Sequence, residues 1–214
     1  GYALEQERNF AAAIDTYLSI PDGRNEYYGG RATERLRDLA NNVAAKTAVG
    51  NKLPSLSIES KDREFSRQNV QAALRLTIVQ TEKDRLLATL KNIYATLPGY
   101  NSPPKFELID IAKVTPGALP SVAANLHTSI GERLAFLGLY GEAAPEFEAS
   151  RPAPISGDLG YTIAIMNMRG DRGYKAVAFA EPLWRSVPAD YQIELIASDQ
   201  IGLLYPTPYR AAFG

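Results

Sequence analysis

Residue types that carry acid–base, metal or nucleophilic chemistry are sparse in this chain. His127 is its single imidazole; a triad needs a Ser or Cys and an orienting carboxylate beside it, and a metal site needs more ligands. Its neighbours Asn125, Thr128 and Ser129 supply neither set, so the expectation is a helix-surface or partly buried histidine. Glu59-Ser60 has a sharper chemical reading, because a glutamate held in an apolar cleft has its pKa raised and can protonate a glycosidic oxygen. The stretch directly after it, Lys61-Asp62-Arg63-Glu64, is a solvated helix start that depresses such a pKa, with Ser60 as the N-cap. Asp158, Asp171, Glu181 and Asp190 lie near glycines and prolines, without calcium-loop alternation or an HExxH pattern, and Gly29-Gly30-Arg31 is too short for a phosphate loop. Twelve tyrosines have faces that stack on pyranose rings and hydroxyls that hydrogen-bond. In an array of helices, most tyrosines pack between helices instead. No catalytic residue, metal ligand or cofactor site is assigned.

The elements that would position these residues are helical, since apolar residues recur at spacings of three and four far more often than they alternate. Ala3 to Ile20 places Phe10, Ala13, Ile14, Tyr17 and Leu18 on one face, with Pro21-Asp22-Gly23 as the stop. Asn25 to Val49 turns Leu36, Leu39, Ala40 and Val43 inward, and Lys52 to Leu56 reads as a Pro-broken connector. Arg31, Glu34, Arg35, Arg37 and Asp38 form a mixed-charge exposed face. Lys61 to Leu97 carries Phe65, Val70, Leu74, Ile78, Leu86, Leu90 and Ile93, interrupted by Thr81-Glu82-Lys83-Asp84, where Thr81 and Asp84 resemble a cap. A helical hairpin is expected there, closed by Pro98, Gly99, Pro103 and Pro104. A short helix over Lys105 to Val114 and a restart at Thr115-Pro116 or Pro120-Ser121 precede a helix through Leu126, Ile130, Leu134 and Leu137, ending at Gly138. Helices follow near Glu142–Ser150, Leu159–Met168, Tyr174–Val187 and Ala189–Leu204. Tyr161 to Met166 is the one strand-like stretch, without a convincing partner.

With 214 residues, 45% hydrophobic and 22% charged, the chain is long enough for a continuous core and average for a globular protein. Its 23 basic residues balance 24 acidic ones, so nothing announces nucleic acid or anionic lipid, and no apolar run approaches a membrane span. Zero cysteines exclude disulfides, thiolate zinc, Fe–S clusters and a cysteine nucleophile while fitting any redox compartment. The start at Gly1-Tyr2-Ala3-Leu4, with neither methionine nor signal peptide, is expected of a trimmed or processed piece.

Gly138-Leu139-Tyr140-Gly141-Glu142-Ala143 matches the G-x-Y-x-x-A junction of tetratricopeptide-like helix pairs, where the glycine permits the turn and the aromatic and alanine pack between helices. Asn9-Phe10-Ala11-Ala12-Ala13 echoes it, and Tyr174 follows Tyr140 by 34 residues, the period of that repeat. Gly138, Tyr140, Ala143 and Tyr174 are therefore the expected repeat-packing residues. The expected fold is all-α, an irregular α-superhelix of about ten antiparallel helices in tetratricopeptide-like pairs, against a compact helical bundle. It spans 1–214 as one domain, with a point of subdivision at 98–104.

Asp190-Tyr191-Gln192-Ile193-Glu194-Leu195-Ile196, followed by Gln200-Ile201-Gly202-Leu203-Leu204-Tyr205-Pro206-Thr207-Pro208-Tyr209-Arg210, resembles the junction in soluble lytic murein transglycosylases of the bacterial envelope. There a helical superhelix hands the chain to a lysozyme-like catalytic domain through a Leu-Tyr-Pro-x-Pro-Tyr segment. Arg169 to Tyr174 and Leu134 to Ala144 look like repeats of the same helical region. The resemblance implies a periplasmic or cell-envelope parent that cleaves peptidoglycan between N-acetylmuramic acid and N-acetylglucosamine, leaving a 1,6-anhydro end. Its catalytic glutamate lies beyond the junction, in a Glu-Ser motif followed by Gly-Leu-Met-Gln. Glu59-Ser60 lies far upstream and lacks that stretch, so no catalytic residue carries over. The chain is then expected to be the non-catalytic scaffold that positions peptidoglycan, with Leu204, Tyr205, Pro206, Pro208 and Tyr209 contacting the missing catalytic domain, since the prolines remove backbone freedom there. The competing readings are a tetratricopeptide-like adaptor for a protein partner and a self-sufficient muramidase acting through Glu59.

Overall fold

The computed structural model describes residues 1–56, 58–101, 108, 123–150, 157–185 and 187–204. Among them are eleven α-helices and no strand. The chain forms two compact units, Gly1–Ser102 with Pro188–Leu195, and Pro103–Val187 with Ile196–Gly214.

The first unit contains α1 (Tyr2–Gln6), α2 (Phe10–Leu18), α3 (Tyr27–Asn41), α4 (Lys46–Ser55), α5 (Arg63–Leu76) and α6 (Gln80–Tyr94). Ala3 to Ile20 is thus two helices. They break at Arg8, whose φ of 57° lets Arg8 N–H donate to the Glu5 carbonyl and Asn9 N–H to the Leu4 carbonyl. This is the paired bonding of a Schellman stop, and Asn9 then caps α2 with its side chain. The Asn25–Val49 stretch also divides, because Asn42 leaves the helical region and accepts the Ala44 N–H to start a 3-10 turn over Val43–Ala45. Pro54 lies in the last turn of α4, where few helical bonds remain to be broken. At α5 the cap is Asp62, which accepts the N–H groups of Glu64 and Phe65. Ser60 instead braces Asp62 and Ser66. The α5–α6 hairpin turns earlier than Thr81, with Val79 at the N-cap position. Ala13, Ile14, Leu36, Leu39 and Leu76 form one core cluster, and Val70, Leu86, Leu90, Ile93 and Tyr94 another.

The second unit contains α7 (Ala123–Phe136), α8 (Tyr140–Ala149), α9 (Gly157–Arg169), α10 (Gly173–Trp184) and α11 (Ser198–Leu204). Consecutive helices pack as pairs, α7 on α8 and α9 on α10, with α8 against α9. The strand-like Tyr161–Met166 lies inside α9, where every residue from Leu159 to Asn167 is buried. A helix covered on all sides has no polar face to betray its period. The expected helix over Ala189–Leu204 is instead an irregular segment, a 3-10 turn at Ile193–Leu195, and α11. The expected helix over 105–114 and the restarts near 115 and 120 lie outside the described residues.

One turn recurs. Gly138 (φ 77°) and Asp171 (φ 58°) repeat the geometry of Arg8, with the same two bonds, to Ala135 and Leu134 in one case and to Met168 and Asn167 in the other. Each turn is followed two residues later by a helix. Five residues after each left-handed position stands a fully buried alanine: Ala13, Ala143 and Ala176. In space, therefore, Gly138 corresponds to Asp171 at an offset of 33 residues, one fewer than the sequence spacing of the tyrosines indicates.

Candidate functional site

The densest polar constellation is in the first unit, on the inward face of α5. Arg67, Gln71 and Arg75 follow one another at intervals of four, so they form a single stripe along the helix. Arg67 is 5% exposed and its guanidinium has no idle edge. It binds both oxygens of Glu64, the Gln71 side-chain oxygen at 2.7 Å and Asp190 Oδ2 at 2.6 Å, and lies 4.8 Å from the centroid of the Tyr100 ring. Burial opposes its charge, but the Glu64 and Asp190 carboxylates outweigh burial and push its pKa up. Glu64 is held below the usual carboxylate range chiefly by its bonds to Arg67.

Asp190 is the other hub. Its Oδ1 accepts from the Tyr100 hydroxyl at 2.7 Å, and its backbone carbonyl accepts from Gln71 Nε2 at 2.6 Å. The Tyr94 hydroxyl accepts the Gln192 N–H at 3.0 Å. Tyr94, Tyr100 and Tyr191 lean together with centroids 4.5 to 6.3 Å apart, and burial raises the pKa of all three phenols. The cluster fastens residues 188–195 onto α5 and α6. Two turns along, Arg75 donates to the Thr33 hydroxyl and to the carbonyls of Tyr17, Leu18 and Ile20. It closes the C-terminus of α2, where a cation is favoured; burial lowers its pKa, with Asp22 acting against that. Both guanidiniums are committed to protein acceptors, and the arrangement is a clasp.

A shallow cleft of about 340 Å³ in the same unit is floored by Leu53, Leu56, Ile58 and Leu86, with Glu82 and Arg85 on its wall. The two charges neutralise each other, and Arg85 keeps the Glu82 carboxyl below its ordinary pKa. In the second unit His127 Nδ1 meets Glu146 Oε2 at 2.7 Å between α7 and α8, and both residues are partly exposed. Glu132 has its pKa raised by burial. Asn167, fully buried, donates to the Ile163 carbonyl, while its Oδ1 has no hydrogen-bond partner among the described residues.

Residues singled out in the sequence are dispersed. Glu59 is exposed and Ser60 half-buried. Gly138 supplies the left-handed turn residue, Ala143 is fully buried, and Tyr140 lies 5.3 Å from the Arg169 guanidinium. Tyr174 is 89% exposed: at the 33-residue offset, Gly173 and not Tyr174 takes the place of Tyr140. Leu204 ends α11; Tyr205, Pro206, Pro208 and Tyr209 lie outside the described residues. Of the clasp residues, Asp190 was weighed only as a scattered carboxylate and the start of the junction segment, and Arg67, Gln71 and Arg75 were not singled out, although a polar stripe at intervals of four beside the buried Val70 and Leu74 was visible in the sequence.

Among the described residues, no group of three or more His, Asp or Glu converges as a metal site requires, and no helix is long and apolar enough to cross a membrane. Compared with models of known families, with curated proteins and with solved structures, the chain matches none.

Proposed function

We propose that this chain is the non-catalytic helical scaffold of a soluble lytic transglycosylase, positioning peptidoglycan in the periplasm beside a lysozyme-like domain joined to it through 204–210. The observation that carries the reading is the junction sequence Leu204-Tyr205-Pro206-Thr207-Pro208-Tyr209-Arg210, which begins at the last residue of α11. Two structural features support it. Consecutive packed helix pairs, of which α1–α2, α7–α8 and α9–α10 are joined by the same left-handed turn, are the kind of unit from which an α-superhelix is stacked. Both buried arginines are committed to other parts of the chain, Arg67 to the side chains of Glu64, Gln71 and Asp190 and Arg75 to the carbonyls that end α2, which suits a part whose work is rigidity.

Co-sedimentation with purified peptidoglycan sacculi tests this. The chain is expected in the pellet without releasing soluble muropeptides. Release abolished by Glu59→Gln would establish a self-sufficient muramidase instead, and failure to sediment would remove the peptidoglycan role. A tetratricopeptide-like adaptor is the second reading, favoured by Phe136, Leu137 and Leu139, which are 80%, 67% and 45% exposed around the α7–α8 turn. A stoichiometric protein partner, with no retention on sacculi, is its signature.

A further inference from the structure

Residues 188–195 belong to the first unit, yet the chain before Pro188 and after Leu195 belongs to the second. The segment is a strap laid on α5 and α6, and the side-chain bonds that hold it span 90 to 123 positions of sequence. None of its residues is buried. Only Tyr191 and Leu195 pack against the apolar cluster, and both remain partly exposed. Beneath the strap, Arg67 is 5% and Tyr94 2% exposed. Lifting it therefore costs the strap's own contacts and leaves the helices of the unit packed on one another; segments held in this way open locally, below the free energy of global unfolding.

The strap is shaped before it docks, and it is read selectively. The Tyr191 N–H donates to the Pro188 carbonyl at 3.0 Å, closing a turn that travels with the strap. The Ala189 carbonyl accepts from the Arg24 N–H at 2.7 Å, an approach that Gly23 keeps open, since a Cβ there would stand 3.1 Å from the same oxygen. Gln71 and Tyr94 hold the backbone of Asp190 and Gln192. Two side chains of the turn are recognised: the Asp190 carboxylate, between Arg67 and Tyr100, and the Tyr191 ring, against Tyr94 and Tyr100. Ala189 is exposed, and Gln192 directs its side-chain amide to Glu194 of the strap itself.

We propose that this face is a cryptic peptide site, occupied by the chain's own strap and opened to a partner protein that presents the same pattern, a turn carrying an aspartate followed by an aromatic residue. The groove reads backbone, one carboxylate and one ring, so it does not require the rest of this chain's sequence. A carboxylate held by a guanidinium is a charge-assisted contact, and the stacked ring adds apolar area. A partner meets only the fraction of molecules whose strap has lifted, and its apparent affinity is reduced by that fraction. The strap is thus an autoinhibitory contact whose strength Asp190 sets. The site takes a protein ligand and stands independently of the peptidoglycan reading.

The test is fluorescence anisotropy of a labelled peptide of residues 187–196, titrated with the full chain. The Asp190→Ala chain, whose strap competes less, should bind it about 30-fold more tightly than the wild type. Arg67→Met added to that chain should weaken binding about fivefold, and the peptide carrying Asp190→Ala should bind about 30-fold more weakly than its parent. In the wild type, millimolar peptide should speed hydrogen exchange of the Gln192 amide as the strap is displaced, a readout independent of how the variants fold. Equal binding by the wild type and Asp190→Ala, no binding by either, no loss with the alanine peptide, or a Gln192 rate unmoved by bound peptide would overturn the site. Wild-type dimers that the peptide dissociates would give the groove to a second copy and overturn the partner protein.

Discussion

Asp190→Ala should destabilise the 188–195 segment more than Arg67→Met does, although Arg67 is the more buried partner. Asp190→Ala removes the acceptor of a charge-assisted bond at 2.6 Å and that of the Tyr100 hydroxyl at 2.7 Å. A guanidinium at 6% side-chain exposure is left with Glu64 and Gln71. A bond to a charged group contributes about 1.5–3 kcal/mol. The Asp190 side chain is 38% exposed, so water replaces part of it, and the net cost is about 2 kcal/mol. Arg67→Met instead leaves Glu64 and Asp190, at 46% and 38% exposure, which water can solvate; its cost is about 1 kcal/mol, mostly the cation–π contact with Tyr100. With the buried cation gone, Asp190→Ala has little more to remove, so the double variant should not exceed Asp190→Ala alone. The Gln192 amide, bonded to Tyr94, reports the segment by native-state hydrogen exchange. About 30-fold faster exchange is expected for Asp190→Ala and about fivefold for Arg67→Met. Acceleration below about threefold for Asp190→Ala, or additive effects in the double variant, would refute the reasoning.

Gly138→Ala, at φ 77°, should cost about 1–2 kcal/mol, whereas Arg8→Gly should stabilise by roughly 0.5 kcal/mol by relieving the same conformation; urea midpoints measure both. Gly30→Ala should stabilise α3 by about 0.5–1 kcal/mol, while Gly29→Ala, whose Cβ meets the Pro21 carbonyl, should destabilise strongly, read by thermal melts. Burial raises the pKa of Tyr94, Tyr100 and Tyr191 above 10.0, so the unfolded chain loses these protons first. The tyrosines' contribution to stability is therefore fully present below pH 10 and falls as pH rises beyond it. Urea titrations paired with phenolate absorbance should show the fall, reduced in Tyr100→Phe. Glu64 acts at the other end: its lowered pKa gives stability that is present above pH 4.5 and lost as pH falls through the folded value, and Glu64→Gln should blunt that acid loss.

The helical class was legible because Leu36, Leu39, Val70, Leu86 and Leu90 keep the three-and-four spacing and are all buried. Element ends were less legible. Arg8 and Asp171 stop helices in a conformation that glycine usually takes, so their residue types gave no signal. Val43 and Phe65, both placed inward by periodicity, are 87% and 48% exposed: Val43 falls on the 3-10 turn after α3, and Phe65 in the first turn of α5. Periodicity fixes a face only within an element, and here the element had ended or barely begun. The clasp escaped notice because Asp190 lies 123 residues from Arg67, and nothing local couples them.

The most direct test of the scaffold account is to sequence the coding frame past the codon for Gly214. The account predicts a Glu-Ser motif followed by Gly-Leu-Met-Gln. A frame that stops, or that continues into further helix pairs without that motif, would contradict it.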